Sequence, residues 1–304
     1  MGHDTSGVFE RISAGDVALV CEGGGMRNAY TAPVIELLLH HGVDVGWVGG
    51  ISAGASLTAN YLSGSPARAR GSFTNMTAVP GFGGWGSFLR GRGYFNAEYI
   101  YERSPMEHTV GIEPYPFERI QQSTTQFRIG SVRADTGDNV YWGREDVDSL
   151  ATLMKYVRAS STLPGFMVPP VIDGVTYVDG ALGPSGGIPL DAAEADGFGK
   201  FLVVMSQTRD YVKPQVTRPA MMRRIFRKHP AVAEAIITRP DRYNATRSRL
   251  FELEREGRAM LFFPDEMTLS NRERDLAKLN AAYDAGMEQA IREWPAWAEF
   301  LRDH

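Results

Sequence analysis

A single cysteine, Cys21, rules out a disulfide within this chain and suits a reducing compartment. It lies inside an apolar run, where a packed core residue is expected rather than a nucleophile. No stretch reaches the ~18 consecutive apolar residues of a membrane span. The N-terminus has neither a basic n-region nor an apolar h-region, so no secretory signal is expected. Met1, Gly2 and Ser6 fit the loose myristoylation pattern, which is too short to carry weight. A basic excess is also missing: the formal net charge is -4 and the pI about 5.9, which argues against a nucleic-acid partner. These absences predict a soluble, cytoplasmic protein, peripheral to a membrane at most.

What is present is globular. Hydrophobic residues make up 43% and charged residues 22% of 304 positions, ordinary values for a folded domain. Val17 to Leu62 reads as strand, glycine turn, helix, strand, tight turn, helix. Val17 to Cys21 and Trp47 to Ile51 are the strands; Asn28 to His41 and Ala53 to Leu62 are the helices. This alternation predicts an α/β fold, a three-layer α/β/α sandwich with a mostly parallel central sheet.

The expected organisation is a polar leader over 1–16, a core over 17–206 and a C-terminal region over 207–304 packed on that core. Residues 63–125 break the pattern with many glycines, prolines and aromatics, among them Phe73, Phe82, Trp85, Phe88, Tyr94, Phe95, Tyr99 and Tyr101. A lid or binding loop and a flank filling satellite cores are equally open readings. Further on, Gln126 to Val132 and Asn139 to Trp142 suit a hairpin, and Val147 to Ala159 a helix. Strands are expected at Val175 to Val178, Phe201 to Met205 and Arg258 to Phe263. Leu190 to Ala195 suits a short helix, and Asn271 to Trp294 a closing one. Met221, Met222, Ile225 and Phe226 interleave with Arg223, Arg224, Arg227 and Lys228. That suits a helix with one face on the core, or one lying on an anionic membrane.

Two turns carry the chemistry. Gly50-Ile51-Ser52-Ala53-Gly54 sets a serine between small residues at a strand-to-helix turn, as a strained nucleophile elbow requires. Gly183-Pro184-Ser185-Gly186-Gly187 matches the same pattern, but no strand feeds it, so Ser52 is the candidate. The other turn, Gly23-Gly24-Gly25-Met26-Arg27, offers backbone N–H groups at a helix N-terminus. A dinucleotide fingerprint would need a third glycine where Asn28 stands, and an acid at the end of the next strand, which Asp44 precedes. A second match, Gly81 to Gly86, lacks a strand and a helix around it. The loop therefore reads as an oxyanion hole, with Gly24, Gly25 and Met26 donating and Arg27 adding positive field.

Ser52 needs a base. None of His3, His40, His41, His108, His229 and His304 follows a buried strand. Asp179 does, in Tyr177-Val178-Asp179-Gly180-Ala181, although taken alone it reads mostly as an Asp-Gly turn. Burial would have to raise its affinity for a proton.

Together, Gly23 to Arg27, Gly50 to Gly54 and Asp179-Gly180-Ala181 resemble the patatin-like phospholipases, above all the short single-domain bacterial members. Ser160-Ser161-Thr162-Leu163-Pro164-Gly165-Phe166 is similar to the serine-rich segment that this family carries before its aspartate. The resemblance implies a lipid acyl hydrolase with Ser52 as nucleophile and Asp179 as base. It also implies an oxyanion hole over Gly23 to Arg27, an acyl-enzyme intermediate, a lipid or acyl-ester substrate and no cofactor or metal. Asn28 departs from the family's usual glycine. Because asparagine tolerates positive φ, the turn is expected to persist.

Overall fold

The computed structural model describes residues 11–79, 82–83, 87, 90–91, 95–106 and 112–303. Met1, Gly2, Ser6, His3, His108, His304, Trp85, Phe88, Tyr94 and most of the Gly81 to Gly86 match lie outside them.

The strands are β1 (Ser13–Cys21), β2 (Asp44–Ile51), β3 (Gln126–Arg133), β4 (Asn139–Trp142), β5 (Val171–Ile172), β6 (Val175–Asp179), β7 (Lys200–Val204) and β8 (Ala259–Phe262). Their order is β5-β6-β3-β2-β1-β7-β8, with β4 paired to β3. The pairs from β3 through β2, β1 and β7 to β8 are parallel, while β3–β4, β3–β6 and β5–β6 are antiparallel. The expected hairpin is the antiparallel β3–β4 pair. β1 begins before the apolar run, because Ser13 and Ala14 pair with Asp44 and Val45.

The helices are α1 (Asn28–His40), α2 (Ala53–Ser63), α3 (Pro66–Phe73), α4 (Phe117–Gln122), α5 (Leu150–Ser160), α6 (Leu190–Ala195), α7 (Pro219–Ile225), α8 (Pro230–Arg255) and α9 (Leu276–Arg302). Along β1 the side chains alternate between two cores. Val17, Leu19 and Cys21 join α1, α2, α5 and α9 through Leu38, Leu57, Leu153 and Tyr283. Ala18 and Val20 join Phe201, Leu190, Tyr243 and Leu250 on the opposite face. A strand buried on both faces reads as a continuous apolar run, as this one does. Each fully buried aliphatic side chain contributes about 1.5–3 kcal/mol.

α8 was not apparent from the sequence. Pro240 sits inside it, where proline removes a helical hydrogen bond, and the Arg242 guanidinium donates to the nearby Ala235 carbonyl at 2.7 Å. None of the residues of α7 is buried; the following Phe226 packs beside Val232 and Ala235. No helix among the described residues is long and apolar enough to cross a membrane.

Candidate active site

Ser52 stands between β2 and α2 with φ 58 and ψ -126. A residue with a Cβ avoids this region unless its surroundings impose it. Here they do. A Cβ on Gly50 would lie 2.0 Å from the Gly54 carbonyl oxygen, and one on Gly54 would lie 2.2 Å from that of Cys21. Only glycines let the helix close this tightly onto two strands.

The Ser52 hydroxyl donates to Asp179 Oδ2 at 2.9 Å. Asp179 ends β6, which arrives antiparallel and sets it level with Ser131 of β3. The Asp179 N–H is held by the Thr162 carbonyl at 2.9 Å. Its other carboxylate oxygen accepts the Ala181 N–H at 2.9 Å and so caps the turn Gly180–Leu182. Burial pushes Asp179 above the ordinary carboxylate range; the Ala181 N–H, the Arg239 charge and the Ser52 hydroxyl oppose the rise. The Asp-Gly turn and the strand-end carboxylate thus coexist at one residue.

Ser160, at the end of α5, fixes the elbow. The Ser160 hydroxyl accepts the Ser52 N–H at 2.8 Å and donates to the Gly130 carbonyl at 2.5 Å. Its place in a serine-rich run is the only hint the sequence offers.

The glycine loop is narrower than expected as a donor set. The Gly23 N–H goes to the Gly187 carbonyl at 3.0 Å and the Met26 N–H to that of Asn271 at 3.1 Å. This removes both as oxyanion donors. The N–H groups of Gly24 and Gly25 have no acceptor among the described residues. Ala53, whose N–H opens α2 and so has no helical acceptor, lines the cavity wall together with Gly25. Positive φ falls on Gly25, at +58, where a Cβ would meet the Asn271 oxygen at 2.3 Å. Asn28 instead begins α1 with φ -69, and its side-chain amide donates to the Glu22 carbonyl at 3.0 Å. The substitution therefore needs no tolerance of positive φ, because the strain lies three residues earlier.

Behind the loop, the Glu22 carboxylate accepts the Ser206 N–H and the Tyr243 hydroxyl, the latter at 2.7 Å. Neither this buttress nor the part of Asn271 is visible in the sequence pattern.

Ser52 opens onto a cavity of about 100 Å³. Phe73, Met76, Phe82, Phe95, Met154 and Val157 make it apolar. The 63–125 insertion therefore does two things. Met76, Phe82, Phe95 and Ile112 form a small core of their own, and several of the same side chains wall the cavity.

The patatin-like phospholipase family matches residues 19–193. The chain belongs to this family. Residues 229–302 match a domain of unknown function (DUF6363). The chain is 27% identical over 204 residues to the uncharacterized protein YjjU of Escherichia coli (strain K12), covering 66% of this chain and 55% of that one. It is 26% identical over 178 residues to lysophospholipase NTE1 of Mycosarcoma maydis, covering 58% of this chain and 9% of the relative. It thus spans about half of the first relative and a small part of the second. VipD from Legionella pneumophila superposes with a TM-score of 0.49 at 12% identity, over 97% of this chain and 67% of that one.

Within this patatin-like chain the rival readings find no support. Asp44 opens β2, at the far end from the glycine loop, and pairs with Arg11 at 3.3 Å. Ser185 has no carboxylate partner among the described residues. His40 pairs with Glu36 at 3.5 Å and His41 stacks on Trp294; no described histidine lines the cavity. Cys21 is fully buried.

Proposed function

We propose that the protein is a serine acyl hydrolase that cleaves carboxylic ester bonds of phospholipids or related lipids. The observation carrying this reading is the 2.9 Å hydrogen bond from the Ser52 hydroxyl to a buried Asp179, at the wall of an apolar cavity. Asp179 takes the proton, the Ser52 oxygen attacks the ester carbonyl, and the alcohol leaves with a proton from the acid. Water, deprotonated by the same aspartate, then releases the fatty acid from the acyl-serine. The N–H groups of Gly24, Gly25 and Ala53 are the donors assigned to the tetrahedral oxyanion, worth about 2.7–4 kcal/mol per donor. The raised proton affinity of Asp179 suits it to the base role. No cofactor or metal enters these steps. We assign peripheral membrane contact to α7, where Met221 and Ile225 are exposed beside Arg224.

A fluorophosphonate probe and a chromogenic acyl ester test the reading. Labelling at Ser52, with turnover lost in Ser52→Ala and Asp179→Asn, supports it. Wild-type turnover in either folded variant refutes it. A folded protein that binds vesicles and refuses the probe is a lipid-binding relative instead.

A further inference from the structure

The cavity of Ser52 is not apolar throughout. α2 brings Ser52, Ala53 and Ser56 to its wall, and Asn60 follows one turn beyond Ser56 on the same helix face. Asn60 lies eight residues past Ser52, about 12 Å along the axis at 1.5 Å per residue. At that level α3 brings Arg68 to the cavity wall. The Arg68 guanidinium carbon stands 3.3 Å from the centre of the Tyr115 ring. The Tyr115 hydroxyl in turn donates to Asn60 Oδ1 at 3.1 Å, and the Ser72 hydroxyl reaches the same oxygen at 3.3 Å. The Asn60 amide nitrogen is buried without an acceptor.

Arg68 is only 2% exposed, yet among the described residues no carboxylate pairs with it. Its Nη1 donates to the Glu113 carbonyl. Nε, on the edge it shares with Nη2, is buried without an acceptor. Elsewhere in this chain that edge holds a carboxylate. Nε and Nη2 of Arg128 meet the two Asp196 oxygens at 2.8 and 3.1 Å, and those of Arg223 meet Glu234 at 2.6 and 3.0 Å. Arg70, two residues on and exposed, pairs with Asp284 at 2.9 Å. A guanidinium keeps its charge when buried, and the in-plane fork of a carboxylate is its best complement. The Tyr115 ring and one carbonyl oxygen stabilise Arg68 without supplying a counter-charge. A pocket for hydrocarbon alone gains nothing from ending on such a cation.

We propose that Arg68 pairs with a carboxylate at the far end of the acyl group, so that the cavity accepts half esters of dicarboxylic acids. This rests on the acyl-hydrolase reading. The scissile carbonyl then lies at Ser52, the methylene chain runs past Phe73 and Met76, and the terminal carboxylate meets Nε and Nη2 of Arg68. The distance from Ser52 to the level of Asn60 along α2 selects a medium-length chain.

The test compares three nitrophenyl esters of one chain length: the hydrogen sebacate, the methyl sebacate and the decanoate. The wild type has its highest kcat/KM on the hydrogen sebacate. Arg68→Met lowers the ratio of hydrogen sebacate to methyl sebacate by about tenfold or more, the worth of one charge-assisted contact. Arg68→Lys, which keeps the charge without the fork, recovers part of that ratio. A wild type that prefers either neutral ester, or a preference that survives in folded Arg68→Met, overturns the proposal. Should Arg68→Met fail to fold, the wild-type ranking of the three esters decides alone. Free sebacate and decanoate separate the two sources of a carboxylate. An Arg68-dependent rise in Tm that is equal for both acids, with no ester preference, assigns Arg68 to the released fatty acid and overturns the dicarboxylic assignment. If the wild type cleaves none of the esters, the hydrolase reading fails, and a Tm rise with sebacate still decides whether the carboxylate site exists.

Discussion

Ser160→Ala isolates the support of the elbow from the reacting groups. The hydroxyl touches neither Asp179 nor the Ser52 oxygen; it holds the Ser52 N–H at 2.8 Å and the Gly130 carbonyl at 2.5 Å. Ser160 is fully buried, so its removal leaves a buried N–H without an acceptor, at about 1–3 kcal/mol. Ser52 also holds φ 58, a conformation costing about 1–3 kcal/mol that persists only while its surroundings impose it. The two terms are coupled: losing the N–H anchor lets the elbow relax and recovers part of the strain, which caps the net destabilisation at about 2 kcal/mol. For a chain of this size that is a Tm decrease of roughly 4 °C. Activity falls further than stability, because a nucleophile displaced by an ångström loses about 100-fold. Calorimetry paired with chromogenic-ester kinetics measures both. A variant with wild-type kcat would show that the anchor does not position the serine.

Asp179→Asn separates activity from stability. With its pKa raised by burial, the native carboxyl holds its proton more tightly than the unfolded chain does. Stability from this site therefore falls as pH rises from the ordinary carboxylate range to the raised value, and stays low above it. Asp179→Asn should abolish turnover, raise Tm at pH 8 and leave Tm at pH 4 nearly unchanged; a lower Tm at pH 8 would contradict the assignment. The wild-type acid limb of kcat/KM should lie above the reference aspartate value of about 3.9. In the cavity, Val157→Phe adds bulk at the wall and should move the preferred acyl chain shorter on an ester ladder, whereas an unchanged ladder would place the chain elsewhere.

The reacting stretch was legible because its requirements are local. A strand ending in Gly-Ile-Ser-Ala-Gly can do little else than turn sharply, and Val17 to Cys21 could only be a strand buried on both faces. Asp179 needed the family resemblance, since its partner lies 127 residues away in the chain and an isolated Asp-Gly dipeptide is mostly a turn. The donor set could not be narrowed from sequence, because Gly23 and Met26 are satisfied by Gly187 and Asn271, carbonyls from distant loops that carry no side-chain signal. Helix α8 was hidden by Pro240 and by a polar composition that gives weak periodicity; tertiary contacts such as the buried Tyr243 stabilise it.

The carboxylate of Glu22 has a practical consequence for anyone dissecting this chain. It follows β1 directly, yet both of its hydrogen-bond donors, Ser206 and Tyr243, come from later in the chain. A fragment cut to the boundaries of the family match would strand that acid in the interior and strip Met26 of its acceptor. Loss of turnover in such a fragment would then reveal nothing about the chemistry of Ser52. Chimeras that exchange C-terminal regions between relatives should carry Tyr243, Ser206 and Asn271 as one inherited unit with the glycine loop they brace.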